Sequence, residues 1–168
     1  MHINLQPVSH IRPEDWPYIL RIQSEAYSAI EPESPSVMQS KWLCSPRTCL
    51  VFRDGQQKPL AYLLSHPWSQ EKPPSLGQEI PRDLTSDQLY LHDLAVSSAA
   101  RGTGAASRLV QHLLDLARSE NYRQVRLISI QASLPFWQKQ GFVPDTSVAV
   151  CKTYGTDASY MVLNLQDS

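Results

Sequence analysis

The segment Arg101-Gly102-Thr103-Gly104-Ala105-Ala106-Ser107 falls between a predicted strand and a predicted helix. A helix N-terminus leaves backbone N–H groups without intrahelical partners and carries partial positive charge, so it can hold an anion. Glycines there let a pyrophosphate approach the main chain with no Cβ in the way. Two other phosphate loops are excluded. A dinucleotide fingerprint needs glycine at 107, where Ser107 stands, and an acidic residue at a strand end about twenty residues on. A P-loop needs Gly-Lys-Ser/Thr, which does not follow. Two glycines alone describe a plain strand-to-helix turn. The preceding strand holds a second chemical group, His92. An unperturbed imidazole pKa of ~6.5 suits proton traffic at neutral pH. Taken alone, a strand histidine is more often half-buried and held by a backbone carbonyl.

These residues need elements to position them. Thr103–Ser119 is the clearest helix, because Ala106, Leu109, Val110, Leu113, Leu114 and Ala117 form one apolar stripe. Leu89–Val96 and Gln124–Ile130 are strands on either side of it, which implies a parallel βαβ unit. Further strands are predicted at Ile3–Ser9, at Thr48–Arg53 and Leu60–His66 around a DGQQ turn, and as a final pair near Val148–Lys152 and Ser159–Leu165. Helices are predicted at Pro13–Ala29, Pro35–Leu43 and Ser133–Gln140, the last ended by Gly141. Hairpins on both sides of the parallel unit make the sheet mixed and mostly antiparallel, with flanking helices: an α/β (α+β) domain. Of 13 prolines, four fall between Pro67 and Pro81 and none between Arg82 and Leu134. Residues 67–86 therefore read as an irregular excursion joining two strands, too short for a second domain.

The chain has 168 residues, enough for one core, so 1–168 reads as one domain. Its 15 Lys and Arg against 16 Asp and Glu give a net charge of -1, without the basic excess of a nucleic-acid binder. No apolar run approaches the ~20 residues of a membrane span, and no signal peptide is visible at Met1–His10. Cys44, Cys49 and Cys151 have no CxxC spacing, which argues for a reducing, cytoplasmic setting and against a metal knuckle or disulfide scaffold.

The string LYLHDLAVSSAARGTGAASRLV joins a strand, a short loop, Arg-x-x-Gly-x-Ala and an amphipathic helix. It resembles the acetyl-CoA signature of the GNAT superfamily of N-acetyltransferases. Downstream, PFWQKQGF resembles that superfamily's second signature, and the two together with the opening elements cover nearly the whole chain. The nearest branch by resemblance is the arylalkylamine N-acetyltransferases, from which Tyr90 (for His) and Trp137 (for Tyr) depart. The resemblance implies a GNAT-like domain using acetyl-CoA as co-substrate to acetylate an amine, by direct transfer and most simply on a small molecule. Protein or peptide N-acetylation and a non-catalytic acyl-CoA-binding domain are the alternatives, and a homodimer stays open.

On that resemblance the pyrophosphate would sit on N–H groups of Arg101, Gly102, Thr103, Gly104, Ala105, Ala106 and Ser107, with Arg101 a surface residue that acts through its backbone. The pantetheine arm would pair with the backbone of Leu94, Ala95 and Val96 like an added strand. The N–H near Leu94, freed by a bulge or splay, would face the oxyanion. Strand alternation puts Tyr90, His92, Leu94 and Val96 on one face and Asp93 on the other, so Asp93 is expected to hydrogen-bond away from His92. His92 would move the amine proton, directly or through water, with Tyr90 a second candidate. Trp137 is no practical acid and would pack beside the pantetheine. The thiolate would then leave unaided, or Tyr154 would protonate it. Glu25, Glu31 and Glu33 lie where the resemblance places the acceptor pocket and could attract a substrate ammonium, although plain solvation is the expectation for each. Tyr27, Trp42 and Trp68 could line an acceptor pocket, with Trp42 equally a core residue, and Cys151 is read as a small core side chain.

Overall fold

The structure, a computed structural model, describes residues 7–27, 32–130, 132–150, 154–155 and 157–165. Seven strands, β1 (Val8–His10), β2 (Leu50–Arg53), β3 (Pro59–Pro67), β4 (Gln88–Val96), β5 (Gln124–Ser129), β6 (Val143–Pro144) and β7 (Ser159–Asn164), form one sheet in the order β1-β2-β3-β4-β5-β7-β6. Among the described residues only β4 and β5 pair in parallel. Helix α3 (Ala105–Ser119) is the crossover between them, and the connection supplies the dozen or more residues a parallel pair requires.

Helix α3 buries Ala105, Leu109, Val110, Leu113, Leu114 and Ala117 against one face of the sheet, where Leu50, Leu63, Leu89, Leu91, Val125 and Leu127 meet them. Helix α1 (Trp16–Ala26) and α2 (Pro35–Cys44) cover the other face. There Trp16, Ile19, Ile22 and Met38 pack on Val51, Tyr62, Leu64 and Ala95. A 3-10 turn at Pro13–Asp15 takes up the start of the predicted first helix. Helix α2 begins where Ser34 Oγ accepts the Val37 N–H at 3.3 Å, with Pro35 in its first turn. The short α4 (Leu134–Lys139) lies on the α3 side, where Trp137 packs edge-on against Phe142. No described helix is long and apolar enough to cross a membrane.

Two predicted strands differ. Of the predicted Ile3–Ser9, described from residue 7, the strand begins at Val8 and runs one residue past the predicted end, to His10. The partner of β7 is Val143–Pro144, whereas Val148–Val150 is not strand; 151–152 lie outside the described residues, as does Cys151. The cause is local: Asp145 Oδ1 accepts the Ser147 N–H at 3.0 Å and its hydroxyl at 2.6 Å, closing a turn straight after β6.

One buried ion pair ties the N-terminal elements to the sheet. Arg53 Nη1 and Nη2 donate to the two Asp15 oxygens, each at 2.7 Å, and Arg53 Nε donates to Ser9 Oγ at 2.7 Å. Asp15 Oδ2 also accepts the Arg12 N–H. Asp15→Ala strands a guanidinium that is 4% exposed and is expected to cost about 3–5 kcal/mol in urea unfolding. Asp15→Ala with Arg53→Met is expected to recover part of that loss. A double variant as unstable as the sum of its singles would show that the two side chains do not act as a pair.

Candidate active site

Strands β4 and β5 pair only at Gln88↔Gln124, Leu89↔Val125 and Tyr90↔Arg126, then part. The gap becomes a cavity of about 290 Å³ between Leu91–Val96 on one side and Leu127, Ile128 and Ile130 on the other. Beyond Tyr90, the β4 edge facing the gap has no β5 ladder to satisfy its peptide groups. The cavity runs from Ala106 on α3 and Phe136 and Trp137 on α4 to Gln23 and Ala26 on α1 and Tyr27 just after it.

A bulge in β4 sets which side chains enter it. Leu64 pairs with Asp93 and Ser65 with Leu91, so His92 is the extra residue with no partner on β3. The slip reverses the alternation expected from the sequence. Leu89, Leu91, Leu94 and Val96 pack on the α3 side, while Tyr90, His92, Asp93 and Ala95 point toward α1 and α2. Asp93 therefore shares the face of His92, correcting its expected position on the far side, and the bulge lies two residues before Leu94. The sequence carried the signal. The apolar positions run 89, 91, 94, 96, and the three-residue step is the phase slip.

Glu33, expected in solvent, is buried at the centre of the site. Its Oε1 accepts from His92 Nε2 at 2.9 Å and from Lys41 Nζ at 3.2 Å, and its Oε2 accepts the Gly77 N–H at 2.8 Å. Burial alone would raise its pKa. The hydrogen bond and charge of His92, the Lys41 ammonium and the Gly77 N–H together outweigh burial and hold the carboxyl at about 2. Lys41 is fully buried; desolvation lowers its pKa and Glu33 opposes the shift. An ionised Glu33 accepts only, so His92 carries its hydrogen on Nε2, which leaves the lone pair of a neutral ring on Nδ1. That atom is buried with no hydrogen-bond partner among the described residues. Asp93 goes the other way: burial raises its pKa although the Tyr27 and Tyr62 hydroxyls beside it pull it down. Tyr62 Oη donates to Asp93 Oδ2 at 2.6 Å, and Tyr27 Oη donates to the Leu94 carbonyl at 2.7 Å. Glu25 is exposed as expected, and Glu31 lies outside the described residues.

Tyr90 and Tyr154 both line the cavity. Tyr154 Oη donates to the Pro74 carbonyl at 3.0 Å and hydrogen-bonds Tyr90, so the Tyr90 hydroxyl is the donor to Tyr154. Burial first, and Tyr154 next, push the Tyr90 phenol well above 10, which leaves it no base near neutral pH. Behind them His66 is fully buried. Its Nδ1 faces the Pro67 carbonyl at 2.9 Å, and burial, reinforced by His92, drives its pKa down to about 3. Of the three aromatic candidates for the acceptor wall, Tyr27 lines the cavity. Trp42 packs on Trp16 at 5.6 Å, and Trp68 joins Ile80 and Tyr90 in a small core.

At the other end, Gly102 and Gly104 have φ of 80° and 79°, and a Cβ on either would meet no protein atom within 4 Å. Gly104 is the N-cap of α3, so the N–H groups of the first turn lack intrahelical partners. Arg101 and Thr103 are exposed, and Ser107 Oγ accepts from Gln140 Nε2 at 3.1 Å. The structure thus brings His92, Tyr90, Tyr154, Leu94–Val96, Ala106 and Trp137 around one cavity, and sets Arg101–Ala105 just outside it.

The sequence matches the family model described as the acetyltransferase (GNAT) family over residues 16–142. A glucosamine 6-phosphate N-acetyltransferase of Trypanosoma brucei brucei is 36% identical over 53 residues, which is 32% of this chain and 36%, about a third, of that relative. Ard1 from Thermoplasma volcanium superposes with a TM-score of 0.74 at 19% identity, covering 95% of this chain and 97% of that one. A chain of the NatC complex, solved with Gag peptide and CoA, superposes with a TM-score of 0.74 at 19% identity, covering 95% and 98%.

The Glu33 cluster makes a pH prediction. A folded pKa of about 2 lies below the ordinary Glu value of ~4.3. Its stabilisation is therefore complete above the unfolded value and is lost as pH falls through the folded one. Glu33→Gln removes the charge while keeping the shape. Urea unfolding at neutral pH is expected to separate the two proteins by about 3 kcal/mol, with the gap narrowing only below about pH 4.5. A gap independent of pH down to about 2 would show that the fold does not lower the Glu33 pKa.

Proposed function

The chain belongs to the acetyltransferase (GNAT) family, and from that premise we propose that it is an acetyl-CoA-dependent N-acetyltransferase that acetylates a small-molecule primary amine by direct transfer. The observation that carries this reading is the parting of β4 and β5, which opens one cavity from the first turn of α3, at Ala106, to the Glu33–His92 pair. The residues present fit acetyl-CoA. Two left-handed glycines front a helix N-terminus with open space where Cβ atoms would stand, which suits a pyrophosphate. The unpaired β4 edge at Leu94–Val96 suits an amide-bearing arm running alongside it. Acetyl-CoA bound there supplies an activated acyl group.

The protein's own groups divide the remaining work. Glu33 fixes the His92 hydrogen on Nε2 and stabilises positive charge on the ring when Nδ1 takes a proton. Because Nδ1 is buried, the amine proton reaches it through a water or a small side-chain shift. Tyr90 orders Tyr154 rather than acting as a base. Trp137 packs edge-on against Phe136 with ring centroids 4.9 Å apart and shapes the wall; its indole is no acid, so a thiolate with an ordinary pKa of ~8.5 leaves unaided, or Tyr154 protonates it after releasing Pro74. Residues of the proline-rich stretch reach the cavity through Leu76 and are held to it at Pro74 and Gly77. That cover supports a compact acceptor over a peptide lying across an open groove.

Two variants test the reading. Gly104→Val forces a β-branched residue into a left-handed conformation, at about 1–2 kcal/mol, and fills the space before α3. Folded Gly104→Val is expected to lose at least tenfold in acetyl-CoA affinity by calorimetry, and unchanged affinity would remove the turn from the cofactor site. His92→Gln is expected to bind acetyl-CoA as before and to lose about 10²–10⁴-fold in kcat, read as thiol release over a panel of amines. Wild-type kcat in His92→Gln, with chemistry rate-limiting, would take the proton away from His92.

A further inference from the structure

The stretch between β3 and β4 has no helix or strand, yet polar contacts to four different parts of the fold hold it in place. Arg126 on β5 donates to the Gln70 carbonyl at 2.7 Å. Ser40 on α2 accepts the Ile80 N–H at 3.0 Å. Tyr154, ahead of β7, donates to the Pro74 carbonyl at 3.0 Å, and Glu33, ahead of α2, accepts the Gly77 N–H at 2.8 Å. The last two partners line the cavity from different elements, and Leu76 lies between their attachment points. Pro73 and Pro74 are buried, which fixes φ just upstream, and Gly77 has φ of 80°, a left-handed turn that presents its N–H to Glu33. Leu76 is thus a half-buried aliphatic side chain on a short, doubly anchored arch that enters the cavity.

We infer that Leu76 is a specificity-determining residue: it forms the end wall of the acceptor part of the cavity and sets how long an amine the protein accepts. This rests on the proposed amine-acetyltransferase function. The charged groups beside it leave the decision to shape. Glu33 already has three donors, Asp93 is held by tyrosine, and no Lys or Arg is among the described residues that line the cavity. An apolar acceptor body therefore gains from burial until it meets Leu76, and an anchored arch cannot move aside as a free loop would.

The test reads binding rather than turnover. Linear alkylamines of two to eight carbons are titrated calorimetrically into protein saturated with CoA. In the wild type, affinity is expected to rise about fourfold per methylene, then to stop rising at a definite length. Leu76→Ala is expected to move that break out by two or three carbons and Leu76→Trp to move it in, with thermal unfolding showing both variants folded. The same break in all three proteins, or no amine binding at all, overturns the assignment. If the wild type binds CoA and shows the Leu76-dependent break but acetylates none of the amines, the end wall stands and the acetyltransferase function falls.

Discussion

The parting of β4 from β5 after Tyr90 and Arg126 is the constraint on which the site depends. A parallel pair needs a long crossover, and α3 with its glycine turn is that crossover, so the helix N-terminus necessarily sits at the C-terminal end of β4. The opened edge beyond Tyr90 would leave peptide groups unpaired in a closed interior. Here it borders a cavity instead, where a ligand or water can serve them. The bulge at His92 adds twist at the same place and turns both His92 and Asp93 toward α1 and α2. One local departure from regular pairing thus yields the opening, the exposed edge and the inward-facing ionisable pair.

Two carboxylates face that space, and their surroundings drive them apart. Burial raises both. Glu33 receives an ammonium, an imidazole and a peptide N–H, and these win, holding it at about 2. Asp93 receives mainly neutral phenols, and burial wins. The difference lies in the charge of the donors: a cationic partner in a poorly screened interior contributes far more than a neutral hydroxyl. Carboxylates separated in this way take different protonation states at one pH. Glu33 remains an anion that orients His92. His92 contributes most to this and Lys41 adds to it, while Lys41 in turn depends on Glu33, because a buried ammonium without a counter-charge is costly.

Features that repeat within one element were legible in the sequence. The stripe on α3, the turn between β2 and β3 and the strand–helix–strand order all follow from period and punctuation, and the structure has them. Features formed between distant segments were not. Asp15 and Arg53 give no sign that they will meet, and Glu33 looks like any carboxylate in a loop until α2 brings Lys41 beside it and β4 brings His92. The final hairpin was misplaced because Asp145 and Ser147 form a side-chain turn that apolar alternation cannot register. The bulge stands between these classes. Its three-residue step from Leu91 to Leu94 is written in the sequence, but strict alternation through Tyr90, His92, Leu94 and Val96 conceals it.

The proline-rich stretch shows how irregular chain can carry as much constraint as a helix. Prolines limit the conformations available to the unfolded segment, so less entropy is lost when it is ordered, and contacts to two carbonyls and two N–H groups are enough to hold it. This divides the cavity physically. The end near α3 is built from backbone groups of regular elements, which suits a ligand part that never changes, because main-chain N–H positions do not depend on side-chain identity. The end near Glu33 is built from an arch whose inward-facing side chain, Leu76, can be exchanged without disturbing any ladder of the sheet. Selectivity for the variable partner therefore rests on the element the sheet depends on least.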